Sequence, residues 1–160
     1  MRPFRRDQRD GMSDWRRNLI ESPEDIARVL RDTHRIAVLG MKTEAQRGQP
    51  AFYVPEYMAR AGYDIVPVPV YYPEVTEILG RPVYRTVSAV PGPVDMVNVF
   101  RRPHAIPPHV PDILAARPRF VWFQLGIVND EAAETLARAG IEVVQDACLL
   151  VEHRAAAGRR

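Results

Sequence analysis

Cysteine is nearly absent from this chain, whose 160 residues contain one, Cys148. A single cysteine excludes an internal disulfide and any cysteine-rich metal site, and predicts a reducing compartment such as the cytoplasm. Long apolar runs are missing as well. None reaches the ~18 residues that a membrane span requires, and the amino terminus has no apolar core of a signal peptide. Neither membrane insertion nor export is expected. An excess of one charge is also lacking: 22 Lys and Arg face 20 Asp and Glu, a net charge of +2, too small to indicate nucleic acid. The four histidines, His34, His104, His109 and His153, stand in no H-E-x-x-H motif and beside no evident Ser, Cys or Asp partner. They read as structural or surface residues, and no catalytic or metal-ligating residue is assigned.

What is present is an ordinary globular composition, 46% hydrophobic and 26% charged, on a length suited to one domain. Arg2, Arg5, Arg6, Arg9, Arg16 and Arg17 are interleaved with Asp7, Asp10 and Asp14. This mixture predicts a solvated arm over residues 1–18, a folded domain over 19–154 and a tail over 155–160.

Within the domain, helices and strands alternate. Ser22-Pro23-Glu24-Asp25 is a helix start, with Ile26, Val29 and Leu30 on one face. Strands are expected at Arg35–Leu39, Tyr63–Val68, Val94–Phe100, Phe120–Leu125 and Ile141–Gln145, with a small edge strand near Val83-Tyr84 after a turn at Gly80-Arg81-Pro82. Helices are expected at Tyr53–Arg60, in the later part of Ile106–Ala116, over Asp130–Ala139, and as a short helix or turn over Ala147–Glu152. Trp122 and Phe123 read as core residues on opposite faces of one strand, and Cys148 as a buried core thiol. This alternation predicts an α/β fold, a doubly wound parallel sheet in a single domain. Ligands of such sheets bind beyond the carboxyl ends of the strands, here Gly40–Lys42, Pro69–Tyr72, Phe100–Arg102 and Gln124–Gly126.

The first of these loops is the most informative. An apolar strand breaks on Gly40, a polar loop with Lys42 and Arg47 follows, and a helix begins. Backbone N–H groups and a helix dipole so placed suit a phosphate, so Gly40 and Met41 are expected to donate their N–H groups. Lys42, Arg47, Arg101 and Arg102 all fall at or just past strand ends, where they can neutralise phosphate oxygens. The loop is not G-x-G-x-x-G, because Lys42 and Ala45 occupy the later glycine positions. The second strand ends Val68-Pro69-Val70 without the acid that holds an NAD ribose, and its apolar Pro/Val/Tyr wall suits an adenine. Gln124 could offer its amide to a ligand.

With Ile36–Gly40, Pro50, Tyr57, Gly62-Tyr63, Glu77–Gly80, Val94-Asp95, Val99–Arg102, Trp122-x-Gln124-x-Gly126 and Asp146-x-Cys148 in view, the chain resembles the small stand-alone CoA-binding proteins. These are similar to the CoA-binding domain of the succinyl-CoA synthetase alpha subunit. The resemblance covers about Ser22 to His153 and implies a Rossmann-like fold that binds CoA or an acyl-CoA without turnover. The diphosphate would lie over the Gly40 loop, the adenine near Pro67 to Tyr71, and Phe100, Arg101 and Arg102 along the adjacent strand end. Pro50, Val68 and Pro69 fall in the implied nucleotide site. Where the family often has Arg-Pro-Ser and Val-Asn-Pro, this chain has Gln49-Pro50-Ala51 and Val68-Pro69-Val70. A protein partner or homo-oligomer is compatible with the resemblance. The alternative readings are an NAD(P)-type nucleotide-dependent enzyme, for which Cys148 is the residue to inspect, and a regulatory module with a vestigial CoA site.

Overall fold

Five strands with apolar side chains on both faces require cover on both sides, and that requirement shapes the molecule. The computed structural model describes residues 14–158. Its elements are α1 (Pro23–Asp32), β1 (Arg35–Leu39), α2 (Pro50–Arg60), β2 (Asp64–Val68), β3 (Glu77–Ile78), β4 (Arg81–Pro82), β5 (Met96–Val99), α3 (Val110–Ala116), β6 (Phe120–Phe123), α4 (Asp130–Arg138), β7 (Glu142–Val144) and α5 (Leu149–Gly158). The main sheet is parallel, in the order β2-β1-β5-β6-β7. The chain thus leaves β1 for one side and returns to β5 on its other side. That reversal makes the gap between β1 and β5 the switch point of the sheet. The fold is the expected α/β, Rossmann-like, single-domain architecture.

Alternation along the strands divides the core in two. Ala37, Leu39, Val97, Val99, Val121 and Phe123 pack against Ile113 of α3 and Ala133, Leu136 and Ala137 of α4. Ile36, Val38, Met96, Phe120 and Trp122 face Val29 and Leu30 of α1, Phe52 and Met58 of α2, and Leu149 of α5. Trp122 and Phe123 are both fully buried, one in each layer.

Local chemistry sets the helix boundaries. The Ser22 side chain accepts the Asp25 N–H at 3.1 Å, and Asn129 accepts that of Ala132 at 3.0 Å, as N-caps do. Helix α2 begins at Pro50 rather than Tyr53, because proline suits the first helical turn. Its second proline, Pro55, has no N–H to offer the Ala51 carbonyl one turn earlier. The Lys42 N–H takes that carbonyl instead, at 3.1 Å, which ties the loop after β1 to the first turn of α2.

Several other boundaries differ from expectation. The small strand pair is a hairpin of Glu77–Ile78 with Arg81–Pro82, so the edge strand sits two residues before Val83. Its turn is Leu79-Gly80, with φ of 55° and 70°, a pair of left-handed residues that closes a two-residue hairpin. The Glu44 carboxylate accepts the Leu79 N–H at 2.9 Å and fixes the backbone there. Cys148 is half-buried rather than core. Residues 1–13 and 159–160, which carry most of the expected arm and the end of the tail, lie outside the described residues. Trp15–Asn18 forms a 3-10 turn whose Asn18 amide donates to the Ala137 carbonyl at 2.8 Å, and α5 runs through Gly158.

Candidate functional site

Because the five main strands are parallel, all four candidate loops emerge at one edge of the sheet. Those after β1 and β5 meet at the switch point. The Phe100 N–H donates to the Leu39 carbonyl at 2.9 Å. A Cβ built on Gly40, whose φ is 86°, would collide with the Phe100 carbonyl oxygen and lie 3.3 Å from the Arg101 Cδ. Only glycine combines that dihedral with that contact.

This geometry corrects part of the expected donor set. The Gly40 N–H already donates to the Val68 carbonyl at 2.9 Å, so Gly40 contributes room and backbone course, not a phosphate donor. The Met41 side chain is fully buried. Its N–H has no protein acceptor among the described residues, and it remains a candidate donor.

The expected cations separate into two kinds. Arg47 is exposed, over the Phe52 ring and 3.9 Å from the Glu56 carboxylate, which Arg60 approaches more closely at 3.6 Å. Lys42, Arg101 and Arg102 have no carboxylate partner among the described residues. Arg101 is the most firmly held. Its guanidinium lies over the Tyr71 ring, 5.5 Å from the centroid, donates to the Tyr71 hydroxyl at 3.3 Å, and donates through Nε to His109 Nε2 at 3.2 Å. The phenol of Tyr71 is lowered from its ordinary pKa, first by the Arg101 hydrogen bond and charge, then by the charges of Arg102 and Lys42. One phenol thus senses all three cations. The imidazole of His109 is also lowered, by burial first and by Arg101 second, against the opposing pull of Asp112.

The expected adenine wall is only partly a surface. Pro67, Val68 and Pro69 are buried, leaving Val70 half-buried and Tyr71 exposed. Pro50 is exposed at the first turn of α2, and Phe100 is half-buried. Gln124 is buried. Its Oε1 faces the Asn98 amide and the Leu149 N–H, each at 3.4 Å, which braces β6 against α5.

Two residues outside the expected set organise this edge. Arg85 donates to the carbonyls of Tyr71, Tyr72, Pro73 and Val75 at 3.2, 3.0, 3.2 and 2.6 Å. These bonds hold a loop in which Tyr72 adopts a φ of 64°, a region costly for a bulky residue. His109 holds Arg101 as described. No sequence motif marks Arg85, and His109 lies in a proline-rich turn that reads as surface.

The described residues also form an open recess of about 210 Å³ between α1 and α5 and one of about 460 Å³ along β7 that reaches Gln145 and Asp146. Carboxylates near these loops are already occupied, Glu44 by the Leu79 N–H and Asp146 by the Gly126 N–H. Among the described residues no group of three His, Cys, Asp or Glu could hold a metal ion, and no helix is long and apolar enough to cross a membrane.

Comparison with known proteins agrees with the topology. A family model described as a CoA binding domain matches residues 34–154. The uncharacterised protein YneT of Bacillus subtilis (strain 168) is 35% identical over 132 residues, 82% of this chain and 94% of YneT. A solved Thermus thermophilus structure is 37% identical with a TM-score of 0.77, covering 85% of this chain and 99% of its own. A hypothetical protein from Pyrococcus horikoshii OT3 is 30% identical with a TM-score of 0.77, covering 86% of this chain and 94% of its own. The chain belongs to the CoA binding domain family.

Proposed function

We propose that this protein binds CoA or an acyl-CoA at the carboxyl edge of its sheet and does not turn it over. The observation that carries the reading is Arg101. It has no carboxylate partner among the described residues and stands where the Gly40 and Phe100 loops meet at the switch point. The ligand's diphosphate lies across the Gly40–Lys42 loop, neutralised by Lys42, Arg101 and Arg102, with the positive end of α2 facing it. The Met41 N–H contributes a backbone donor. Tyr71, with Val70 beside it, offers the adenine a flat apolar contact. Family membership supports CoA as the nucleotide. The acid-free end of β2, Val68-Pro69, leaves an NAD ribose without its usual acceptor.

Calorimetry with CoA, dephospho-CoA and NAD tests the proposal. CoA should bind and NAD should bind far more weakly. Removing two charge-assisted contacts together by Arg101→Ala and Arg102→Ala should weaken CoA by about a hundredfold. The exposed Arg31, at the far end of α1, provides the control, and Arg31→Ala should leave affinity unchanged. Absence of CoA binding at millimolar concentration would overturn the reading.

A further inference from the structure

Arg101 reaches the Gly40 loop only because something holds its other side. Its Nε–H points at His109 Nε2 at 3.2 Å, so that nitrogen must carry a lone pair and no proton. His109 ends the 3-10 turn Pro107–His109, immediately before α3. It is partly buried, and its backbone N–H donates to the Ile106 carbonyl at 2.8 Å. The charged groups bearing on it are Arg101, from the loop after β5, and Asp112, from the first turn of α3. Asp112 is already engaged, accepting from the Val87 N–H at 2.7 Å and the Ser88 N–H at 3.0 Å. It is therefore held in place to orient the 87–88 backbone.

From this geometry we infer that neutral His109 is the positioning residue of Arg101, holding the guanidinium toward the diphosphate and releasing it on protonation. The inference rests on the CoA reading of the same site. A protonated Nε2 has no lone pair for Arg101 and adds a like charge 3.2 Å from its Nε. Acidification therefore turns the guanidinium away from His109, and among the described residues the Tyr71 contact remains as its side-chain anchor. Burial and the Arg101 charge both favour the neutral imidazole, so the clamp is closed at neutral pH and opens on the acid side.

The sign of the effect distinguishes this role from direct contact. A His109 that touched the ligand itself would bind a diphosphate more tightly once protonated. A His109 that acts through Arg101 binds it more weakly. Dephospho-CoA is the suitable probe, because its diphosphate does not titrate between about pH 5.5 and about pH 8. For the full chain, affinity should fall about three- to tenfold across that range, the worth of one hydrogen bond. His109→Gln, which retains a neutral acceptor, should keep near-neutral affinity and lose the pH dependence. His109→Ala should be weaker and also flat. A flat wild-type profile, or tighter binding on acidification, would overturn the inference.

A second measurement needs no ligand. In the free protein the Arg101 Nε–H resonance should move in step with the His109 imidazole titration, and should lose that movement in His109→Gln. An Arg101 signal indifferent to that titration overturns the coupling even if CoA fails to bind. Failure of CoA binding at neutral pH with the Arg101 titration intact would overturn the functional reading alone.

Discussion

The two edges of the sheet treat arginine in opposite ways. At the amino edge several arginines meet acids. Arg35 lies 3.3 Å from Asp64, which also pairs with Arg81. Arg28 forms a two-pronged pair with Glu142 at 2.5 and 3.2 Å, raising its pKa through that hydrogen bond, and Arg119 lies 3.7 Å from Asp32. Asp95 accepts the N–H groups of His34 and Arg35 at 2.9 and 2.8 Å, locking β5 to the start of β1. At the carboxyl edge Lys42, Arg101 and Arg102 have no acid among the described residues, and Arg101 is held by an aromatic ring and an imidazole instead. Neutral anchors fix a guanidinium in space without cancelling its charge. Those amino-edge charges are paired within the protein, whereas the carboxyl-edge cations remain for the anion we propose binds there.

The largest expected effect breaks the carboxyl edge outright. Gly40→Ala places a Cβ against the Phe100 carbonyl at a φ of 86°. The dihedral alone costs about 1–2 kcal/mol, and the backbone must also shift where the two loops meet. Denaturant melts should show a loss of about 2 kcal/mol or more, and calorimetry should show CoA binding abolished. An unstrained variant with intact affinity would show that the loops need not touch. Next comes Asp95→Ala at the amino edge, which strips the acceptor from two backbone N–H groups. It should cost about 1–3 kcal/mol of stability and leave CoA affinity unchanged, so reduced affinity in a folded protein would join the two edges functionally.

Much of this contrast was legible in the chain. The loops at Gly40 and Phe100 could be placed because each follows an apolar run, and a parallel sheet gathers all such ends on one edge. The start of α1 and the cap at Asn129 announce themselves through short-range chemistry between residues three apart. What stayed hidden depends on contacts at longer range. Glu56, nine positions after Arg47, lies 3.9 Å from it, a contact that no motif in the loop announces. The approach of the Leu149 N–H to the Gln124 Oε1 joins residues 25 positions apart. The Arg85 bonds to four carbonyls between Tyr71 and Val75 join two irregular segments, and no periodicity marks them. The shift of the hairpin from Val83 to Arg81 reflects a turn made by Leu79 beside Gly80, where a leucine gives no hint of left-handed backbone.

The smallest expected effect is the sharpest test of the contrast. Arg119 and Arg101 are both arginines next to strands of one sheet, and neither should matter much to stability. Arg119 and Asp32 are well exposed, with side-chain exposures of 58% and 39%, and such surface pairs contribute about 0–1 kcal/mol. Arg101→Ala removes no ion pair among the described residues, and its loss should also stay within about 1 kcal/mol. Melting curves of Arg119→Ala and Arg101→Ala should therefore be nearly superimposable. Their CoA affinities should not be. Arg119→Ala should bind as wild type does, whereas Arg101→Ala should weaken CoA about tenfold, with a shallower dependence on salt because one phosphate-neutralising charge is gone. Equal affinities would mean that an arginine without an acid is merely solvated. A difference confined to Arg101 would mean that the missing carboxylate is supplied by the phosphates of the ligand.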